Sequence, residues 1–302
     1  MPAAKEMYMG EKDLSQKQLE YYADVFADLV NALLYAGKEV LRESDLIPAP
    51  TETIYKDKTG QMHNQFHDIS KYVIDDGRDG IKMQYVLENQ TKKDKNMVLR
   101  KAGYQGAIYR GQVEQKQMYP VIGIVLYWGE GWWTYPDRLS RICADAGLSE
   151  EIQSYVDEVK LHIYHMCHLP DSVREHFHSD MRMIVDWLAQ GEAYQPMVKE
   201  LRHPEAVACM MSALSGDKRY EEIIKEAAEG KKEGEHMAVD GFLQKYIDKG
   251  LMQGRSEGII IGREEACMEA IRRMLHNGKS AEQIMEFCGY TWEEVKKAQE
   301  RV

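Results

Sequence analysis

The chain has 302 residues, of which 44% are hydrophobic, enough to build a sizeable core and to argue against a disordered protein. Its net charge of −11 argues against attraction of nucleic acid by the whole surface, because phosphate affinity comes from Lys and Arg. The longest apolar run, 121–128, is too short to cross a bilayer, so no membrane partner is expected. Five scattered cysteines without CxxC spacing, and no leader pattern, predict reduced thiols and a cytoplasmic location.

The first elements combine one helix with a pair of strands. Residues 14–42 have the apolar spacing of a helix with one buried face, and residues 47–61, which contain two prolines and a glycine, predict a loop. Two strands are predicted at 64–74 and 81–89, with a turn between them at 75–80.

A second helix and two further strands complete the predicted α/β part. Residues 96–115 predict a helix, and the β-branched run 121–127 is typical of a central strand buried on both faces. Residues 157–166 alternate in a way that predicts another strand.

Beyond Pro170 the pattern becomes helical. The predicted helices are 171–189, 204–215, 218–229, 236–249, 256–277, 280–287 and 291–301, the last two starting with capping boxes at Ser280 and Thr291. We therefore predict an α/β core over 1–170, a helical extension packed on it over 171–249, and a glycine-punctuated helix with short terminal helices over 250–302.

The C-terminal part has one internal regularity. Gly250, Gly254, Gly258 and Gly262 recur every four residues. Such a stripe allows close approach of another helix and favours a homo-oligomer formed through the C-terminal helices. The alternative is a weakly stable connector, since each glycine costs about 1 kcal/mol relative to alanine in a helix.

The strongest candidate site lies on the two predicted strands before residue 90. Asp68 falls on the first strand, and Glu88 and Gln90 close the second, where alternation places them on one face. If the strands pair, Asp68 lies beside Glu88, and two carboxylates on rigid strands are a typical oxygen-rich site for Mg²⁺. The alternative is a pair of acids that simply face solvent.

A basic stretch begins two residues after Gln90. Residues 92–116 hold seven Lys or Arg against two acids, a local balance of +5. On its own such a stretch indicates only a solvated helix face, but next to a metal site it is where a phosphate would lie.

Several segments in order resemble a known family. They are 66–69, 86–90, 97–100 with Tyr104 and Tyr109, and 119–129. Together they resemble the recombination-promoting nuclease and putative transposase family, a branch of the PD-(D/E)XK nuclease superfamily, best over about 20–190. The resemblance implies a restriction-endonuclease-like mixed sheet flanked by helices, followed here by the all-helical C-terminal region, and a protein that cuts DNA with Mg²⁺, Mn²⁺ being an alternative.

The resemblance also implies roles for individual residues. Asp68 and Glu88 match the two acids of the motif, and Asp28 matches an acid of the first helix that completes the metal site. Gln90 stands where the superfamily usually has Lys, so it would orient a water by hydrogen bonding without taking its proton. The basic and aromatic side chains expected to contact DNA are Lys92, Lys93, Arg100, Lys101 and Tyr104. His67 stands where the motif usually has Pro.

The predicted function is therefore a metal-dependent DNA endonuclease associated with recombination or mobile elements. The alternative is a catalytically inactive nuclease fold that binds DNA or protein, which the acidic charge and Gln90 favour. A further alternative is a helical interaction protein whose partner binding lies within 170–302.

Two other clusters are weaker candidates. His162, His165, Cys167 and His168 contain zinc-ligand residue types, but no second ligand pair follows at the usual spacing, so no zinc site is predicted. Trp128, Trp132, Trp133 and Tyr135 are expected to close a core, with base stacking as the alternative.

Overall fold

The computed structural model describes residues 17–56, 62–75, 78–113, 118–143, 147, 149–191, 194, 200–220, 222–223, 237–238, 267–277, 279–288 and 290–299. The chain divides into two compact units, Met1–Phe242 and Leu243–Val302. The glycine stripe at 250–262 lies outside the described residues.

The first unit is built on a five-stranded mixed sheet, which confirms the mixed sheet that the family resemblance implied. Its strands are β1 (Leu46–Pro48), β4 (Ile69–Asp75), β5 (Arg78–Gln90), β6 (Val121–Tyr127) and β7 (Ile163–His165), which lie in the order β1-β4-β5-β6-β7. β1, β4 and β5 are antiparallel neighbours, whereas β5, β6 and β7 run parallel. The carboxyl ends of β5, β6 and β7 therefore meet at one edge of the sheet.

Helices cover both faces of this sheet. α3 (Met97–Gly111) connects β5 to β6 and packs Met97, Val98 and Tyr104 against Val86. On the other face lie a short helical segment, α1 (residues 17–21), and α2 (Ala23–Leu34), whose Phe26 meets the ring of Tyr85 edge-on. Tyr85 and Val86 are neighbours on β5, so their side chains point to opposite faces of the sheet, and each packs into a different core.

The segment predicted as a loop at 47–61 contains strands in its described part, residues 47–56. It contains β1 and β2 (Glu52–Lys56), and β2 pairs antiparallel with β3 (Met62–Phe66) in a separate two-stranded sheet. The β-branched and aromatic residues 53–55 favour an extended backbone, and the breakers Pro48, Pro50 and Gly60 lie at or beyond the strand ends. The strand predicted at 64–74 is consequently two strands, β3 and β4, separated at residues 67–68.

The first helix is also shorter than predicted. α2 ends at Leu34, and Ala36 and Gly37 have φ values of 51° and 78°, which no continuing helix adopts. A Cβ on Gly37 would approach the His176 ring to 2.8 Å, so glycine is required there for space as well as for conformation. The helix predicted to reach residue 42 is therefore wrong beyond Leu34.

Shorter elements complete the first unit. They are α4 (Leu139–Ile142), α5 (Glu150–Gln153), α6 (Asp171–Arg174), α7 (Met181–Gln190), β8 (Glu200–Leu201), α8 (Pro204–Ser215) and β9 (Met237–Ala238). The strand predicted at 157–166 is reduced to β7, preceded by an isolated bridge between Arg138 and Lys160. The helix predicted over 236–249 is wrong at Met237–Ala238, which pairs with β8.

The second unit is helical where it is described. A helix at residues 267–276 (α9), α10 (Ala281–Cys288) and α11 (Trp292–Gln299) enclose a small core of Ile271, Ile284, Val295 and Ala298. Both predicted capping boxes are present: Gln283 and Glu294 exchange hydrogen bonds with Ser280 and Thr291 respectively. No helix in the described part of the chain is both long and apolar enough to cross a membrane.

Candidate active site

Asp68 lies at the break between β3 and β4. The pairing of β4 with β5 aligns Ile69 with Leu87, so the next step of the antiparallel register brings Asp68 opposite Glu88. Asp68 Oδ2 accepts a hydrogen bond from the backbone N–H of Asn89 at 2.5 Å, which fixes the carboxylate against the end of β5. The predicted juxtaposition of Asp68 and Glu88 is thus present, although Asp68 precedes its strand instead of lying within it.

Glu88 is a buried carboxylate that faces α3. It shares the Val86 face of β5 by strand alternation, and its side chain is 1% exposed. Arg100 on α3 approaches its Oε2 at 3.4 Å and also pairs with Asp94 at 3.0 Å. A buried carboxylate needs a compensating cation, and Arg100 supplies part of that compensation from a half-exposed position.

Gln90 ends β5 at the edge of the sheet. Its backbone carbonyl accepts a hydrogen bond from the N–H of Trp128 at 2.8 Å, and its side chain is half-buried on the same face as Glu88. Glu88 and Gln90 therefore lie on one face at the end of β5, and Asp68 lies opposite Glu88, directly before β4.

Tyr104 and His67 border the two acids. Tyr104 on α3 is 2% exposed, and burial together with the charges of Glu88 and Asp68 raises the pKa of its hydroxyl. Its ring lies 5.1 Å from that of His67, measured between centroids. The Tyr104 hydroxyl and His67 Nδ1 are buried and have no hydrogen-bond partner among the described residues. Such atoms beside two carboxylates suit a polar or hydrated occupant better than an apolar core.

The basic stretch divides into surface and core. Lys92 and Lys93 are exposed just beyond Gln90, and Lys93 Nζ lies 3.5 Å from the hydroxyl of Thr134. Lys101 is 5% exposed, its ammonium donates to the carbonyl of Lys160, and burial lowers its pKa to about 8. Lys101 and Tyr104 are therefore core residues in this structure and do not present their polar groups to a surface ligand, unlike Lys92, Lys93 and Arg100.

Sequence reasoning missed an acid on α1. Glu20 is fully buried and accepts a hydrogen bond from Nδ2 of Asn89 at 2.6 Å, on the opposite face of β5 from Glu88. One turn earlier on the same segment, Lys17 pairs with Asp68 Oδ1 at 2.9 Å. Asn89 also accepts a hydrogen bond from Nε1 of Trp128 at 2.6 Å, so its amide connects α1 to the loop after β6.

Asp28, the predicted third metal ligand, lies elsewhere. Its carboxylate accepts hydrogen bonds from the backbone N–H groups of His178 at 3.0 Å and Ser179 at 2.8 Å, just before α7. The reason is a break at Tyr22, whose ψ of 135° is extended. A continuous helix would align Glu20, Asp24 and Asp28 on one stripe, whereas the break lets Glu20 face β5 while Asp24 and Asp28 face His203 and Ser179.

We therefore expect Asp28→Ala to weaken the fold and to leave the chemistry of the site intact. The loss of its acceptors leaves two backbone amides unsatisfied, which costs about 1–2 kcal/mol. Chemical denaturation measures this change, with the exposed Glu175→Ala as the matched control. A loss of divalent-metal binding by folded Asp28→Ala would contradict the placement and restore Asp28 as a ligand.

His67 gives the fold a specific sensitivity to acid. Burial lowers the pKa of its imidazole from 6.5 to about 4, so between these values the unfolded chain binds a proton that the folded chain does not. The unfolding free energy should consequently fall as pH decreases from 6.5 to 4, by up to about 3 kcal/mol from this group. Thermal melts of wild type and His67→Gln between pH 6.5 and 4 test this prediction. The variant should lose this part of the pH dependence of stability, and an equal pH dependence in both proteins would refute the prediction.

The His and Cys cluster and the aromatic cluster predicted as weaker candidates contain residues with structural roles. Cys167 Sγ donates to the carbonyl of Trp128, and His168 Nε2 lies 2.5 Å from the carbonyl of Glu130. No group of three His, Cys, Asp or Glu side chains among the described residues is arranged to hold a metal ion. Of the aromatic cluster, Trp128 is 5% exposed and closes the core as predicted, whereas Trp132 is 62% exposed.

A divalent cation fits the donor chemistry of the site. Asp68 and Glu88 are hard oxygen donors of the kind Mg²⁺ prefers, and buried polar atoms without partners among the described residues lie beside them. Their present partners, Lys17 and Arg100, are cations that neutralise the same charge.

The site lies within a segment with known relatives. Residues 63–203 match the model of a family described as putative transposase, YhgA-like. We refer to residues 63–203 as the YhgA-like segment, after the description of the family to which they are similar. It is slightly less than half of the chain, and it contains Asp68, Glu88, Gln90 and the whole of α3. The predicted resemblance to putative transposases is thereby confirmed, and the mixed sheet of the YhgA-like segment is consistent with the PD-(D/E)XK superfamily. Searches of curated proteins and of solved structures gave no match.

Proposed function

We propose that this protein is a metal-dependent DNA endonuclease that hydrolyses phosphodiester bonds in recombination or in the movement of genetic elements. The observation that carries the proposal is the placement of Asp68 opposite Glu88 at the end of β5, within the YhgA-like segment. Two carboxylates, one directly before β4 and one on β5, form a pair of oxygen donors that is fixed by the sheet.

Asp68 and Glu88 would hold one or two Mg²⁺ ions. The metal supplies an acidified water and neutralises charge on the phosphate. The protein's own part is positional: the backbone N–H of Asn89 orients Asp68, and the packing of β5 against α3 orients Glu88. Arg100, which contacts Glu88 and is half-exposed, would be available to pair with a phosphate at the same point.

Gln90 has the role of positioning a water. Its amide is uncharged, so it donates and accepts hydrogen bonds but takes no proton at neutral pH. Lys92 and Lys93 follow it on the surface and provide positive charge where the DNA backbone would approach. This local attraction should weaken as the salt concentration rises, because salt screens charges that are exposed to solvent.

Conversion of a supercoiled plasmid to its nicked form tests the proposal. Wild-type protein should nick in Mg²⁺ or Mn²⁺, should be inactive with EDTA, and should lose activity in Asp68→Asn. A purified, folded wild type that leaves the plasmid intact in both metals, or an Asp68→Asn variant as active as wild type, would refute it. The first result would favour an inactive nuclease fold that binds DNA or protein.

A further inference from the structure

The sheet edge that carries Gln90 extends across two more strands. Gln90 pairs in register with Tyr127, and Tyr127 pairs with His165, so the three residues form one row at the carboxyl ends of β5, β6 and β7. Neighbouring strands are about 4.8 Å apart, which puts His165 about 10 Å from Gln90 along this row. The far end of the row is within reach of a DNA strand whose scissile phosphate lies at Glu88.

Trp132 stands exposed at the far end of that row. Its ring lies 4.8 Å from the His168 ring in a stacked arrangement with an angle of 21°, and 4.8 Å from the His165 ring. The indole thus contacts two imidazole rings, yet 62% of the residue is accessible to solvent. An indole that is held by neighbouring rings and is still largely exposed loses little conformational entropy when a further ring stacks on it.

The loop that carries Trp132 contacts two neighbouring parts of the structure. A Cβ on Gly129 would collide with the Tyr127 hydroxyl, so the backbone passes directly over that side chain. On the other side of Trp132, the hydroxyl of Thr134 contacts Lys93 Nζ from the segment after Gln90. The loop therefore lies beside the surface that presents Lys92 and Lys93.

Beyond Trp132 the surface continues as a cleft. The cleft has a volume of about 430 Å³ and is lined by Trp133, Tyr135, Lys160 and Arg141, among others. Tyr135 is 42% exposed, and Lys160 is exposed. The acids here include the exposed Glu130, Asp137, which is paired with Arg138 and Arg141, and Glu158, which accepts hydrogen bonds from Ser140.

We propose that Lys93, Trp132, His168, Tyr135 and Lys160 form an aromatic strip that binds single-stranded DNA, with an unpaired base stacked on Trp132. The inference rests on the proposed function for its position beside the scissile phosphate. Aromatic faces with interleaved cations are what single strands bind, because every unpaired base offers a ring face and every nucleotide a phosphate. Bases inside a duplex are already stacked on each other and cannot stack on Trp132. The substrate should therefore contain a single-stranded or locally opened segment next to the cleavage point.

Fluorescence anisotropy of a labelled oligothymidylate tests the strip in EDTA, where no cleavage occurs. We expect Trp132→Ala to weaken single-strand binding by about tenfold or more, and Trp132→Phe to retain most of it. Binding of a duplex should change little in either variant. Tyr155→Ala, which removes an aromatic residue that is 84% exposed and does not line the cleft, is the matched control and should bind as wild type does.

The outcomes separate this inference from the proposed function. Equal single-strand affinity of wild type and Trp132→Ala, or no detectable binding by wild type, overturns the strip even if the plasmid is nicked. A selective loss in Trp132→Ala supports the strip even if no nicking is found, since the measurement needs no metal.

Discussion

Replacing Glu88 with Gln should abolish plasmid nicking while the protein stays folded. The substitution keeps the shape of the side chain but removes a charge that the site needs to hold a divalent cation. A bound metal supplies several kcal/mol of charge stabilisation, so we expect the nicking rate to fall about a thousandfold or more.

A folding control is essential because Glu88 is buried. Arg100 keeps its contact with Asp94 in the variant, so no buried cation is left without a partner there. Glu150→Gln, an exposed acid on α5, is the matched control and should nick at the wild-type rate. Full nicking by Glu88→Gln would show that the carboxylate does not serve catalysis.

Replacing Asn89 with Ala should produce the largest loss of stability among the site variants. The amide of Asn89, 7% exposed, accepts from the indole of Trp128 and donates to the buried carboxylate of Glu20. Removal of the amide takes one hydrogen-bond partner from the indole and one from the carboxylate. The loss of partners by two buried polar groups, one of them charged, costs about 2–4 kcal/mol of unfolding free energy. Chemical denaturation should show this as a lower midpoint.

The exposed Asn96→Ala is the matched control for Asn89→Ala. Asn96 precedes α3, and its side chain makes no cap hydrogen bond, so its removal should cost less than about 0.5 kcal/mol. An equal, small effect of both substitutions would mean that the Asn89 amide does not hold α1 and the Trp128 loop to β5.

The strands that form the site could be predicted because their signals are local. The β-branched run of β6 and the turn-bounded pair that became β4 and β5 require only neighbouring residues to be recognised. Strand alternation then placed Glu88 and Gln90 on one face, and strand pairing placed Asp68 beside Glu88. The hairpin of β2 and β3 was missed because Pro48, Pro50 and Gly60 dominated the local pattern.

The acids of the first helix could not be assigned from sequence. Glu20 and Asp28 both have helical spacing, and only the break at Tyr22, which depends on packing against the sheet and α8, decides which of them reaches β5. The burial of Lys101 depends likewise on tertiary structure: its stem crosses Gly123, where a Cβ would come within 3.0 Å of its Cε. Such contacts between distant segments leave no periodic signal in the chain.

Calorimetric titration of Mn²⁺ into the metal-free protein tests the central claim, that Asp68 and Glu88 form one divalent-metal site. The wild type should show saturable binding, and both Asp68→Asn and Glu88→Gln should lose it while remaining folded by circular dichroism. Undiminished binding in Glu88→Gln, or no binding by wild type, would contradict the claim.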